Sequence, residues 1–278
     1  MQLAKHNPSK IYIACRNQSK GQAAAISIRE LLGESTVEIQ CLPLDLASFQ
    51  SIRSTVKMVE DSTDRLDILI CNAGIFEPQS TTTESGFEIH MGTNHIGHHL
   101  LTKLLLPILE RTAALADSDV RVVTVSSLAS GRAPPLSTIL DPVKLAALDM
   151  GARYGASKAA NIYFAAELAR RHPAITSVSV HPGTIDTDIW NPARQNSIMF
   201  RILLAIVAPL MFISLQAGAH TQLWAAAVAR KDELENGAYY IPVGKLQAKN
   251  EGNQRVKDLE TCKAVWDWTE AEIAKVNI

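Results

Sequence analysis

The sequence predicts an α/β fold: a doubly wound parallel sheet of the Rossmann type in a single domain spanning residues 1–278. Two observations lead there. Short apolar, β-branched runs alternate with longer segments of helical period, the pattern of a parallel sheet covered by helices on both faces. The residues directly after those runs are small or polar, and that edge is where ligands sit in open α/β sheets. Size agrees, since 278 residues with 47% hydrophobic content can bury one large core without a second domain.

In chain order, strands are expected over Lys10 to Cys15, Val37 to Leu44, Leu66 to Cys71, Val120 to Ser126, Thr176 to His181 and Ala238 to Ile241. Helices are expected near Gln18 to Leu32, Ser48 to Asp61, Gly86 to Ala114, Gly151 to Arg171, Ile202 to Leu210 and Leu215 to Arg230. Pro134, Pro135 and Pro142 make the segment from Gly131 to Met150 an irregular excursion with at most one short helix. The apolar run Ile202 to Ile213 is too short to span a bilayer, which takes about 20 residues, and Pro209 interrupts it. It reads as a buried helix or pocket lid, with a membrane-surface contact as the alternative.

Composition narrows the partners. A net charge of -1 without blocks of like charge leaves no footprint for nucleic acid or an acidic membrane, so a small molecule is the expected partner. Cys15, Cys41, Cys71 and Cys262 are widely spaced, which points to reduced core residues in a cytoplasmic protein and to no metal site. The opening MQLAKHNPSK is too polar for a signal peptide or anchor.

The strand ends carry the chemistry. Arg16, Asp45, Asn72-Ala73-Gly74, Ser126-Ser127 and Pro182-Gly183 all fall on one common edge. Tyr154 and Lys158, four apart in a helix-forming segment, share a helix face. An ammonium beside a phenol favours the phenolate, bringing a group of ordinary pKa about 10 toward working range as a proton donor and acceptor. Ser127 either donates a hydrogen bond to the same substrate oxygen or merely caps a turn. The CNAG turn either admits a ligand close to the backbone or is only a tight connection. Asn94, inside a helical pattern that disfavours it, is either solvent-facing or kept for a polar role.

Taken in order, Asn-Ala-Gly, the helical Asn, Ser-Ser at a strand end, Tyr-x-x-x-Lys and Pro-Gly-x-Ile-x-Thr resemble the short-chain dehydrogenase/reductase family from about Lys10 to Gly244. The resemblance implies that Tyr154 is the general acid/base and that Ser127 polarises the substrate oxygen. Lys158 would lower the Tyr154 pKa and hold the nicotinamide ribose, and Asn94 would support a water relay to Lys158. It places Asp45 and Leu46 near the adenine, Asn72, Ala73 and Gly74 along the adenosine ribose, and Pro182, Gly183, Ile185 and Thr187 around the nicotinamide. Arg16 stands where a carboxylate would bind NAD, and a guanidinium there matches the 2′-phosphate of NADP, making NADP the expected cofactor over NAD. A homodimer through the helices carrying Asn94 and Tyr154 is a further allowed partner.

Two departures from the family pattern carry expectations. A longer insert between Ser127 and Tyr154, with the ACRN segment, resembles the retinol-dehydrogenase-like branch and implies a bulky apolar alcohol or ketone. The family's first strand and its glycine-rich turn are missing. That strand belongs mid-sheet, between the strand of Ile11 and Ile13 and the strand of Ile68 and Ile70. Three outcomes stay open: a start site placed too far downstream, direct pairing of the two flanking strands, or a catalytically weak binding or regulatory relative. A nucleotide-sugar epimerase or dehydratase shares Tyr-x-x-x-Lys, but little chain follows Thr187 to build a sugar-binding domain.

Overall fold

The computed structural model describes residues 2–33, 36–184, 213–246 and 251–276. Each expected strand forms: β1 (Lys10–Cys15), β2 (Glu38–Pro43), β3 (Ile68–Cys71), β4 (Arg121–Val125), β5 (Thr176–Val180) and β6 (Tyr239–Ile241), with a short antiparallel β7 (Lys245–Leu246) added at the end. β4 and β5 are buried at every residue, as strands covered on both faces must be.

The strands do not make one sheet. β1 pairs in parallel with β2 alone, Ile11 opposite Ile39 and Ile13 opposite Cys41. β3 to β7 form a second sheet in sequence order. The facing edges of β1 and β3 make no ladder, so direct pairing of the two is not the outcome; Ile68, Leu69 and Ile70 stay half-buried as a result. On one face a continuous core, from Leu42 and Leu44 through Ile108 and Phe164 to Val265 and Ile273, ties both sheets into one domain. On the other face the core is divided. Ile11 and Ile13 pack with Ala25 and Ile28, whereas Ile68 and Ile70 pack with Val123, Val178 and Ala225. A cavity of about 340 Å³, lined by Leu3, His6, Leu223 and Trp224 among others, lies on that divided side.

Helices α1 (Gln18–Leu32) and α2 (Phe49–Glu60) follow β1 and β2. Asn17 starts α1 by accepting the Lys20 N–H at 2.9 Å, satisfying a donor that has no intrahelical partner. The long helix expected from Gly86 is instead a π turn, Met91–Ile96, running into α3 (Gly97–Ala113). The proline-bearing excursion holds a 3-10 turn, Leu128–Arg132, and two short helices, α4 (Leu136–Ile139) and α5 (Pro142–Ala146), rather than at most one. Pro142 sits in the first turn of α5, where its missing N–H costs nothing. α6 (Met150–Arg171) carries Tyr154 and Lys158. After β5 come α7 (Leu215–Leu223), a second π turn over Trp224–Val228, α8 (Glu251–Lys257) and α9 (Leu259–Lys275).

α9 packs over the helices expected to offer a dimer face. Its buried stripe of Cys262, Val265, Trp266, Thr269 and Ile273 lies against α3 and α6. Trp266 stacks on Phe164 of α6 with ring centres 5.6 Å apart. Thr269 and Glu270 meet His95 and His99 at 2.9 and 2.6 Å. The two helices expected to meet a second copy thus each give one face to α9 within the chain. The helix expected over Ile202 to Leu210 lies outside the described residues. All four cysteines are free, but only Cys71 and Cys262 are buried; Cys15 and Cys41 are half-exposed at the open side of the smaller sheet. Among the described residues no helix is long and apolar enough to cross a membrane.

Candidate active site

The site forms where β4 ends against the first turns of α6. Asp149 caps α6 by accepting the Ala152 N–H at 3.1 Å. Gly155 lets the helix press onto the 3-10 turn after β4, since a Cβ there would lie 2.6 Å from the Ala129 carbonyl oxygen. Ser126 Oγ donates to the Lys158 carbonyl at 2.6 Å and so belongs to the scaffold. Ser127 takes the capping role, its Oγ accepting the Ala129 N–H at 3.1 Å, and its hydroxyl stands beside the Tyr154 phenol, favouring the ionised form.

Lys158 is buried one turn along α6, its Nζ 5.7 Å from the Tyr154 ring centre and donating to the Val125 carbonyl at 3.0 Å. Burial dominates both ionisations. It pushes the phenol up to about 12, against the hydrogen bond from Ser127, and the ammonium down to about 8. The net shift of Tyr154 is therefore upward, because its charged form loses solvation in the buried site. The lysine shift has a sign that can be measured. Since the unfolded chain holds that proton more tightly, stability should climb as pH rises from about 8 toward 10.5. Tyr154 acts in the opposite sense above pH 10, where only the unfolded phenol ionises readily. Because buried Cys71 and Cys262, with thiols pushed up to about 11 and about 12, pull the other way above pH 9, the climb is read as the difference between wild type and Lys158→Met, whose melting midpoints should diverge in favour of the wild type from pH 8 to 10.

Asn94 sits in the π turn with no exposed surface, which excludes the solvent-facing reading. Its Oδ1 accepts the Ile75 N–H at 2.8 Å, and its Nδ2 donates to the Ile75 carbonyl and Ser157 Oγ, both at 3.1 Å. Its own carbonyl accepts from His98 Nδ1 at 3.0 Å. Asn94 thus clamps the segment after β3. Gly74 is where the parts converge: a Cβ there would stand 3.3 Å from both Asn94 Oδ1 and Lys158 Nζ, closer than either polar head tolerates without moving.

The other expected residues divide. Arg16 is exposed directly after β1, and Asn72 and Ala73 are exposed after β3, with Asn72 Oδ1 accepting from Gln222 of α7 at 2.7 Å. Asp45 is half-buried and spends Oδ1 on the Ala47 N–H. Leu46 sends its side chain into the core, packed over Gly97 of α3, which leaves its backbone to meet a ligand. Pro182 and Gly183 are half-buried after β5, and Ile185 and Thr187 lie outside the described residues. Sequence reasoning missed Phe76, Glu88, His90 and Arg153, which gather around Tyr154 through contacts between distant segments; only the adjacency of Arg153 to Tyr154 hinted at one of them. The Lys158 ammonium, with N–H donors beyond the one given to Val125, beside a side-chain-free Gly74 suits a hydroxyl-rich ligand such as a ribose. Among the described residues no glycine-rich strand-to-helix turn is present to receive a pyrophosphate.

Comparison with known proteins places these motifs in a family. The short chain dehydrogenase family profile matches residues 1–198. A short chain dehydrogenase/reductase of Colletotrichum higginsianum is 34% identical over 95% of this chain and 69% of its own length. Retinol dehydrogenase 12 of Mus musculus is 33% identical over 93% of this chain and 77% of its own. A gluconate 5-dehydrogenase from Burkholderia cenocepacia, solved with NADP and tartrate, shares the fold at a TM-score of 0.63 and 19% identity, covering 87% of this chain and 86% of that one. With Asn-Ala-Gly, Ser-Ser and Pro-Gly at the ends of strands of one sheet and a profile matching well over half its length, the chain belongs to the short-chain dehydrogenase/reductase family and resembles its retinol dehydrogenases.

Proposed function

We infer that the chain transfers a hydride between NADP and the alcohol or carbonyl group of a small apolar substrate. The observation that carries this reading is the placement of Tyr154 with Lys158 one turn further along α6, Nζ 5.7 Å from the phenol ring centre and 3.3 Å from where a Cβ would stand on Gly74, beside Ser127 at the end of β4. Tyr154 exchanges a proton with the substrate oxygen while Ser127 hydrogen-bonds the same oxygen as its charge changes. Lys158 offers N–H donors to the nicotinamide ribose, and Asn94 holds the Ile75 backbone beside it and supports the proton relay. A bound nicotinamide supplies the hydride acceptor or donor. Asp45, the Leu46 backbone, Asn72, Ala73 and Gly74 serve the adenosine end, and Pro182, Gly183, Ile185 and Thr187 the nicotinamide end. Likeness to retinol dehydrogenases supports an apolar substrate, and four free thiols support a reducing compartment, the cytoplasm.

NADPH consumption with a panel of apolar ketones and aldehydes tests the activity; no consumption of NADPH or NADH with any of them refutes it. The choice of NADP rests on the exposed Arg16 guanidinium and on the NADP held by the Burkholderia neighbour. Arg16→Asp replaces a charge-assisted phosphate contact by repulsion, and should weaken NADPH by about tenfold or more with little effect on NADH. Equal changes in the two dissociation constants would show that Arg16 faces away from the cofactor.

A further inference from the structure

The segment after β3 is held with unusual force for a surface connection, whose backbone groups ordinarily bond water. Asn94 takes both main-chain groups of Ile75. His90 Nε2 accepts the Glu77 N–H at 2.9 Å, and Arg153 donates to the Pro78 carbonyl at 3.1 Å. All three side chains are buried, at 0%, 0% and 2% exposure. Burying a guanidinium is costly without a counter-charge, and Glu88, itself buried, supplies one 3.8 Å away. The same carboxylate meets His90 Nδ1 at 2.8 Å and accepts the Met91 N–H at 2.8 Å. Because the Glu77 N–H can only donate, His90 Nε2 carries no proton, and its one N–H is Nδ1, aimed at Glu88.

Between these clamps stands Phe76. Its ring centre lies 5.0 Å from that of Tyr154 in an edge contact, and His90 closes the group at 6.0 Å from the Tyr154 ring. A segment pinned on both sides of a single aromatic residue fixes that ring, and here it is fixed against the phenol. Resting on the assignment of Tyr154 above, we propose that Phe76 is a specificity-determining wall of the substrate pocket, receiving the apolar substituent on the reacting carbon. His90, Glu88 and Arg153 are positioning residues that hold it there. An aromatic or alkyl ketone gains from the wall, and a two-carbon aldehyde does not reach it.

Acetophenone and acetaldehyde are the probes. In Phe76→Ala, the acetophenone KM should rise about tenfold while that of acetaldehyde rises less than about twofold. Saturation-transfer NMR, which needs no turnover, should show acetophenone binding to the wild type and its loss in the variant. His90→Phe keeps the ring packing but drops both hydrogen bonds. It should raise the acetophenone KM about fivefold with a smaller fall in kcat, and His90→Gln, able to accept from Glu77 and donate to Glu88, should restore it. Acetophenone binding that is absent in the wild type, or unchanged in Phe76→Ala, overturns the proposal, as does an equal loss for both probes. Binding that follows expectation in a protein that consumes no NADPH contradicts only the activity inferred above.

Discussion

Tyr154→Phe is expected to abolish turnover while leaving the fold intact. The substitution removes one hydroxyl, which stands beside Ser127, and keeps the ring that packs edge-on against Phe76 and His90. Ser127 retains its second role, capping the turn after β4 through the Ala129 N–H. The melting temperature should therefore stay close to wild type while the rate collapses, because no other phenol occupies that position to move the proton. Steady-state NADPH consumption checks it. A variant keeping more than about a tenth of the wild-type rate, a loss under about 1.4 kcal/mol, would remove Tyr154 from the acid/base role.

The second large effect concerns the open edges of β1 and β3. Lengthening the chain at its amino end with a family-like strand, glycine-rich turn and helix should raise both stability and NADPH affinity. A strand in that position would pair with β1 on one side and β3 on the other, completing a single sheet. Its helix would join the two separate apolar clusters on the divided face, next to the cavity lined by Leu3 and Trp224. The turn would bring backbone donors to the pyrophosphate, and hydrogen bonds to a charged group contribute about 1.5–3 kcal/mol each, so affinity should improve at least about tenfold. Most residues of β1 and β3 are only half-buried, so water relieves part of the cost of their unpaired groups. The gain in melting temperature should accordingly be smaller than fully buried orphans would give. Fluorescence titration with NADPH and thermal denaturation of both forms decide it. A cooperative transition with micromolar NADPH affinity in the 278-residue chain would contradict the expectation.

Strand positions and the catalytic pair were legible in the sequence because both depend on short-range pattern. KIYIAC and RVVTV have no other way to bury their branched side chains, and a four-residue spacing on a helix fixes a shared face. Less legible were features set by what lies across space. Leu46 follows a strand end as cofactor contacts do, but the chain turns there so that its side chain enters the core beneath Gly97. The sign of the Tyr154 shift depends on how deeply Tyr154 and Lys158 are buried, which residue spacing does not encode. α9 did announce itself: Cys262, Val265, Trp266, Thr269 and Ile273 recur at helical intervals behind Asp258, which accepts the Thr261 N–H. The family resemblance fades near Gly244, and that stripe beyond it went unread.

The π turn at Met91–Ile96 makes the length of this helix as constrained as its composition. Its closing bond runs from the Gly97 N–H to the Gly92 carbonyl, five residues back, so one more residue is wound into the turn than an α-helix would hold. The wide turn absorbs that residue with the flanking stretches in phase, whereas deleting a residue from the α-helical stretch just after it, between Ile96 and His99, would rotate the two sides by roughly 100° relative to each other. Asn94, held by Ile75 and Ser157 on one side, and His95 and His99, held by Thr269 and Glu270 on another, then could not all keep their partners. The turn acts as a phase-setter between the active-site edge and the carboxy-terminal helix. Across it, substitutions conserve the geometry far more readily than insertions or deletions do.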